Sequence, residues 1–183
     1  MVDSQVLLKP LLPKAEVAPS VNYCLLCPFF LFWFELTLEL MLETHCIFCK
    51  IIIGQIPARI IAQSSKAIAF LDASPLAKAH TLIIPKSHYQ KIQDMDKEHL
   101  FAVFELLQTV SGAVELTAGV NASTIAIHNG REAGQDVPHL HIHIIPRKAT
   151  DGAGAVHTMF KKKPDVTSEQ LDLILQNVKA NLV

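Results

Sequence analysis

The chain predicts an α+β domain built on a five-stranded antiparallel sheet with one long and one short helix. Three observations carry that reading. Short apolar runs at residues 59–63, 67–71, 80–85, 122–128 and 139–145 are bounded by turn-forming residues, as strands are. A single longer stretch keeps the spacing of a helix, with Leu100, Val103, Phe104, Leu107 and Val114 on one side. The strands follow one another in hairpin-like succession instead of alternating with helices, which argues against a parallel sheet.

Taken in order, residues 46–54 suit a short helix closed by Gly54, with Pro57 opening a turn. The first two strands flank the polar Ser64-Ser65-Lys66 turn, and Asp72-Ala73-Ser74-Pro75 breaks the chain before the third. Asp94 or Asp96 offers a cap for the long helix and Gly119 a stop. A loop at residues 130–138 separates the fourth strand from the fifth. Beyond Pro146, Gly152 and Gly154 mark a connection to a last helix. There Thr167 and Gln170 fit a capping box, and Leu171, Ile174, Leu175 and Val178 form the apolar side.

The fifth run reads His139-Leu140-His141-Ile142-His143-Ile144-Ile145. In a strand, alternate residues share a face, so three imidazoles would stand together while Leu140, Ile142 and Ile144 enter a core. Imidazole changes charge near neutral pH and serves as nucleophile, proton carrier or metal ligand. Buried rings of this kind need partners, so three in a row make poor structural filler.

At 183 residues the chain has room for one domain plus extensions. With half its residues hydrophobic and a formal charge of −1, it is globular and has no general electrostatic pull toward nucleic acid. The basic cluster Lys161-Lys162-Lys163 suits a solvated turn. We divide the chain into an N-terminal extension (1–44), a central domain (45–150) and a C-terminal tail with a helix (151–183). In the extension, the apolar, aromatic stretch at residues 23–34 is short for a membrane span, which needs about 20 residues. A membrane anchor through residues 17–34, a dimer-forming arm and an over-extended reading frame starting upstream of Met41 are all open.

The fifth run has company. Gly130, Gly134, Gln135, Val137 and Pro138 lead into it, and Pro146-Arg147 leaves it. Upstream stand Cys46-Ile47-Phe48-Cys49-Lys50-Ile51-Ile52, Ile56-Pro57-Ala58, Phe70-Leu71-Asp72 and Ile83-Ile84-Pro85-Lys86-Ser87-His88. In this order they resemble the histidine triad (HIT) superfamily of nucleotide hydrolases and transferases, over roughly residues 45–148. The resemblance implies the HIT fold, with the sheet extended across a homodimer, and a cytoplasmic enzyme.

The same resemblance implies a mechanism. His141 would attack the α-phosphorus of a nucleoside phosphoramidate or dinucleoside polyphosphate, forming a nucleotidyl-histidine that water then cleaves. His143 would lie against the phosphate or leaving group, and His139 completes the triad. Ile47, Phe48, Ile51 and Phe70 would form the apolar slot for an adenosine- or guanosine-type nucleoside, with Asp72 on the ribose. Burial in the core and turn chemistry are the competing readings of these five. Gly134 and Gln135 belong to a loop that could meet phosphate. His128, followed by Asn129, stands where many relatives carry Asn or Gln. Asp136 stands where they often carry a hydroxyl residue. A carboxylate there could assist proton transfer or repel a leaving nucleotide carrying extra phosphates, and the second reading tilts the expectation toward phosphoramidates. No organic cofactor is expected. The alternatives are a non-catalytic nucleotide-binding scaffold and a metalloenzyme using the three histidines as ligands.

Cys46-x-x-Cys49 has the ligand spacing of a zinc site, which needs two further donors. Zinc-bearing members of the resembled family take them from positions matching His88 and His139, implying a structural zinc. An all-cysteine ribbon with Cys24 and Cys27 ranks below it, and below no metal at all.

Overall fold

The structure, a computed structural model, describes residues 45–159 and 164–182. The chain divides into two units at His45/Cys46, and the second carries the sheet and its helices. The expectations for the extension, its Cys24-x-x-Cys27 pair and Lys161-Lys162-Lys163 lie outside the described residues.

Helix α1 (Ile47–Ile52) starts from an extended Cys46 and ends at Ile53, after which Gly54 turns the chain at φ 77°. Strands β1 (Ile60–Gln63) and β2 (Ala67–Leu71) are joined by a turn in which the Ser64 hydroxyl accepts from the Lys66 and Ala67 amides. Strand β3 (Thr81–Pro85) follows, then helix α2 (Lys97–Ala118). Asp96 caps α2 by accepting from the His99 amide at 2.8 Å, and Gly119 closes it in the left-handed conformation. Strands β4 (Ser123–Ile127) and β5 (Ile142–Pro146) complete the sheet. Its order is β1-β2-β3-β5-β4, with every neighbouring pair antiparallel. The fold class is therefore the one expected.

Both faces of the central strands are covered, which is why they read as unbroken apolar runs. Ala67, Ala69, Ile83, Ile142 and Ile144 face α2 and meet Val103, Leu106, Leu107, Val110 and Val114. Ile68, Phe70, Leu82 and Ile84 face the other way and pack with Cys46 and Phe48 beside α1. Pairing in register puts Leu82, His143 and Ala126 side by side on the α1 face, since directly opposed residues point the same way. That face holds the site.

Two local expectations change. The fifth strand starts at Ile142, not His139. Residues 139–141 cross the end of β3 outside the sheet, because the Leu140 amide bonds the Tyr89 carbonyl at 2.6 Å and not a neighbouring strand. Strand alternation therefore orients only His143. On α2, Phe104 is 41% exposed, whereas Leu106 and Val110 are buried. Phe104 turns outward with Phe101 toward Ile125 of the edge strand. The last helix, α3 (Ser168–Ala180), has the Thr167/Gln170 capping box, with hydrogen bonds of 2.9 and 3.3 Å. Its apolar side chains, Leu171, Ile174, Leu175 and Val178, are exposed.

Candidate active site and metal cluster

On the α1 face a cavity of about 560 Å³ opens between α1, the ends of β2 and β3, and the loop before β5. His141 and His143 line it. So do Ile47, Phe48, Ile51, Phe70, Asp72, His128 and Gly134, seven of the residues expected to meet a nucleotide. The volume is in the range of small-molecule sites. Phe48 forms its inner wall, edge-on to Phe70 (5.9 Å between ring centres) and to His141 (5.3 Å).

The hydrogen bonds assign the tautomers. His141 Nδ1 lies 2.7 Å from the carbonyl oxygen of His139, so Nδ1 carries the hydrogen and donates. The lone pair is then on Nε2. The ring is buried, 6% exposed, and burial holds its pKa below the ordinary imidazole range, so it stays neutral at neutral pH. A neutral imidazole with a fixed hydrogen and a lone pair on the other nitrogen is a nucleophile.

A second relay reaches His143. The Leu76 amide donates to His80 Nδ1 at 3.2 Å, which leaves the His80 hydrogen on Nε2. That nitrogen stands 3.0 Å from His143 Nδ1 and donates to it. His143 must then carry its own hydrogen on Nε2. Among the described residues, His143 Nε2 is the one buried side-chain N or O atom without a hydrogen-bond partner. It is thus a donor in want of an acceptor, beside His141. Burial, with the neighbouring His141, His80 and His128, pushes its pKa down to about 4. His80 is also held low by burial, against the opposing pull of the Asp72 carboxylate 3.3 Å away. Asp72 meanwhile accepts from the Ser74 amide at 2.8 Å, so it is a turn residue as well as a cavity wall.

His80 was legible only as the first residue of a strand. The available signal was a histidine at the head of the otherwise apolar Thr81-Leu82-Ile83-Ile84 run. Two other expected residues face elsewhere. Asn129 accepts from the Ile92 amide at 2.9 Å and donates to Gln93 at 3.0 Å. Gln135 is buried, and its amide donates to the Gln90 carbonyl at 2.8 Å. The loop amides are also engaged: those of Ala133 and Gln135 bond the Gly130 carbonyl, and that of Gly134 bonds Arg131.

His139 points to a different place. Its Nε2 donates to the Pro85 carbonyl at 3.0 Å, so its Nδ1 lone pair faces Cys46 Sγ (3.5 Å) and Cys49 Sγ (3.6 Å). His88 Nδ1 lies 3.3 Å from Cys49 Sγ. The donor atoms of Cys46, Cys49, His88 and His139 all fall within 4.8 Å of one another. Burial raises the Cys46 thiol, but bonding to His139, His88 and the Cys49 backbone outweighs it and brings the pKa to about 5. A thiolate facing a second sulfur and two imidazoles is the donor set of a tetrahedral zinc site, so the residues present fit that metal. The triad is divided: one ring serves this cluster and two serve the cavity.

The chain is similar to several known proteins. An uncharacterized HIT-like protein of Methanocaldococcus jannaschii is 39% identical over 136 residues, covering 73% of this chain and 98% of the relative. Adenylylsulfatase HINT3 of Arabidopsis thaliana is 32% identical over 133 residues, 73% of this chain and 68% of its own. Adenosine 5′-monophosphoramidase of Schizosaccharomyces pombe is 39% identical over 102 residues, 56% of this chain and 74% of its own. A crystal structure of a HIT family member from Bacillus subtilis superposes with TM-score 0.69 at 35% identity, covering 76% of this chain and 98% of that one. A zinc-bound histidine triad family protein from Mycobacterium smegmatis gives TM-score 0.57 at 28% identity, over 76% and 99%. Residues 53–150 match the family model of the HIT domain, and with this cavity, this cluster and these relatives the chain belongs to the HIT family.

Proposed function

We propose that the protein is a nucleotide hydrolase or nucleotidyl transferase working at the α-phosphate of a purine nucleoside phosphoramidate or dinucleoside polyphosphate. The observation that carries this reading is the His141–His139 carbonyl bond, which leaves the Nε2 lone pair for attack on phosphorus. In the first step a bond forms between Nε2 and phosphorus while the bond from phosphorus to the leaving nitrogen or oxygen breaks. The leaving group takes up a proton from solvent and departs, and the nucleotide stays on His141. In the second step water attacks the same phosphorus and gives up a proton to solvent, the P–N bond to His141 breaks, and nucleoside monophosphate is released. The His143 Nε2–H is the donor for the oxygens that gain charge in both steps. Phe48, Phe70, Ile47 and Ile51 receive the base, and Asp72 the ribose.

The Asp136 carboxylate on the cavity wall favours a leaving group without extra phosphates, so a phosphoramidate is the preferred substrate class. The relatives named for adenosine monophosphoramidase and adenylylsulfatase activity support small leaving groups in the same way. Zinc at Cys46, Cys49, His88 and His139 would be structural, since none of the four lines the cavity. A homodimer paired through α2 and the free edge of β4 would cover the exposed Phe101, Phe104 and Ile125. Such a protein would work in the cytoplasm.

The test is a brief exposure to adenosine phosphoramidate followed by acid-free mass spectrometry. Wild type is expected to carry an adenylyl group on His141, and His141→Asn to carry none and turn over at least ~10³-fold more slowly. Tight binding with no adduct and no turnover would leave a nucleotide-binding protein instead.

A further inference from the structure

His128 follows the last residue of β4, one step beyond the pair Ile127↔Ile142. It lies on the same side as Ala126, whose partner is His143. Its ring centre is 5.4 Å from that of His143, and its edge rests against Gly134, where an added Cβ would sit 4.0 Å from the ring. Of the neighbouring pair His128-Asn129, only the imidazole faces the cavity, because both ends of the Asn129 amide are bonded to the 92–93 turn. The position beside His143 thus holds a group that can change its charge, and the adjacent amide cannot replace it.

We propose that His128 is a charge-switched clamp on the nucleotide's phosphate, so that the affinity of the pocket for a nucleotide anion is set by pH. The inference rests on the nucleotide reading above and adds to it a rule for which state of the protein binds. The titratable and charged groups that share the cavity with His128 are His141 ahead of β5, His143 in β5, His80 ahead of β3, Asp72 after β2, and Asp136 and Arg59 on the wall; Lys91 lies against Gly130. Burial holds both His80 and His143 below the ordinary imidazole range, His143 at about 4, which leaves His143 uncharged in the range where the ordinary imidazole titrates. Protonated His128 adds a charged donor where the phosphate sits; neutral His128 offers one uncharged N–H or none. An asparagine there donates equally at every pH. His128 is accordingly a positioning and specificity residue, with the bond-making left to His141.

The probe is the methyl ester of adenosine 5′-phosphate, whose single negative charge is constant between pH 5.5 and 8.5 and whose methoxide is a poor leaving group. Its dissociation constant is measured by calorimetry at both limits for wild type, His128→Asn and His128→Gln. Wild type is expected to bind ~10-fold or more tightly at pH 5.5 than at 8.5, the scale of one charge-assisted hydrogen bond. Either variant should bind with a pH ratio below about threefold, at an intermediate affinity. A wild type with no pH dependence, or variants that keep the full ratio, would overturn the clamp and leave the nucleotide site standing. No binding by wild type at either pH would overturn both.

Discussion

At the scale of single residues, chemistry here depends on where hydrogens sit on imidazoles. Three backbone groups set them: the His139 carbonyl for His141, the Pro85 carbonyl for His139, and the Leu76 amide for His80. The last matters for the reaction because His80 hands its orientation on to His143. His80→Ala removes that partner and frees the His143 ring to adopt either tautomer. We expect kcat with adenosine phosphoramidate to fall ~10–100-fold with KM changed little, and His80→Gln, whose amide can still donate, to recover part of the loss. Steady-state kinetics on the three proteins checks this; a raised KM at unchanged kcat would make His80 a binding residue. His141 was readable from sequence because it sits in a motif. His80 was not, since its role comes from a partner 63 positions away and nothing in its own neighbourhood announces it.

At the scale of elements, the fold was legible where burial is two-sided. β2 and β3 are wedged between α1 and α2, so Thr81 at the head of β3 is their one polar residue, and the apolar runs gave their ends to within a residue. The long helix was equally plain, with Asp96 and Gly119 at its ends. The error at β5 has one cause: residues 139–141 have the composition of a strand but find their hydrogen-bond partner in Tyr89, beyond the end of β3. Local pattern says that a segment is extended, not which backbone it meets. The covered part of β5 should show its burial in energetics. Ile144 is fully buried opposite Thr81 and packs among the α2 contacts, so Ile144→Ala is expected to cost ~2–5 kcal/mol by urea denaturation. The exposed Val178→Ala of α3 should cost less than about 0.5 kcal/mol.

At the scale of the whole molecule, the Cys46–Cys49–His88–His139 cluster joins parts of the chain 93 residues apart: the N-cap of α1, the end of β3 and the approach to β5. Phe48 and the carbonyl that bonds His141 are both carried by the segments it joins. A metal there would stabilise the folded state as any ligand does, since the unfolded chain has no preformed site. We expect metal analysis of the purified protein to find zinc near one per chain. Exhaustive chelation should lower the melting temperature by about 5–15 °C, and Cys46→Ser or His88→Ala should abolish zinc retention. Zinc that survives both substitutions would rule the cluster out as its site. Four residues scattered over three elements were foreseeable as a set only through the family resemblance; the sequence alone offered the Cys-x-x-Cys spacing.

One consequence of the His141–His139 contact concerns inheritance. The oxygen that fixes the His141 ring belongs to the peptide unit, so no codon at position 139 encodes its removal. Genetic drift there can strip a ligand from the thiol cluster yet still deliver a carbonyl to the neighbouring ring. Descendants of this gene can therefore lose the imidazole at position 139 and keep the hydrogen on the same nitrogen of His141.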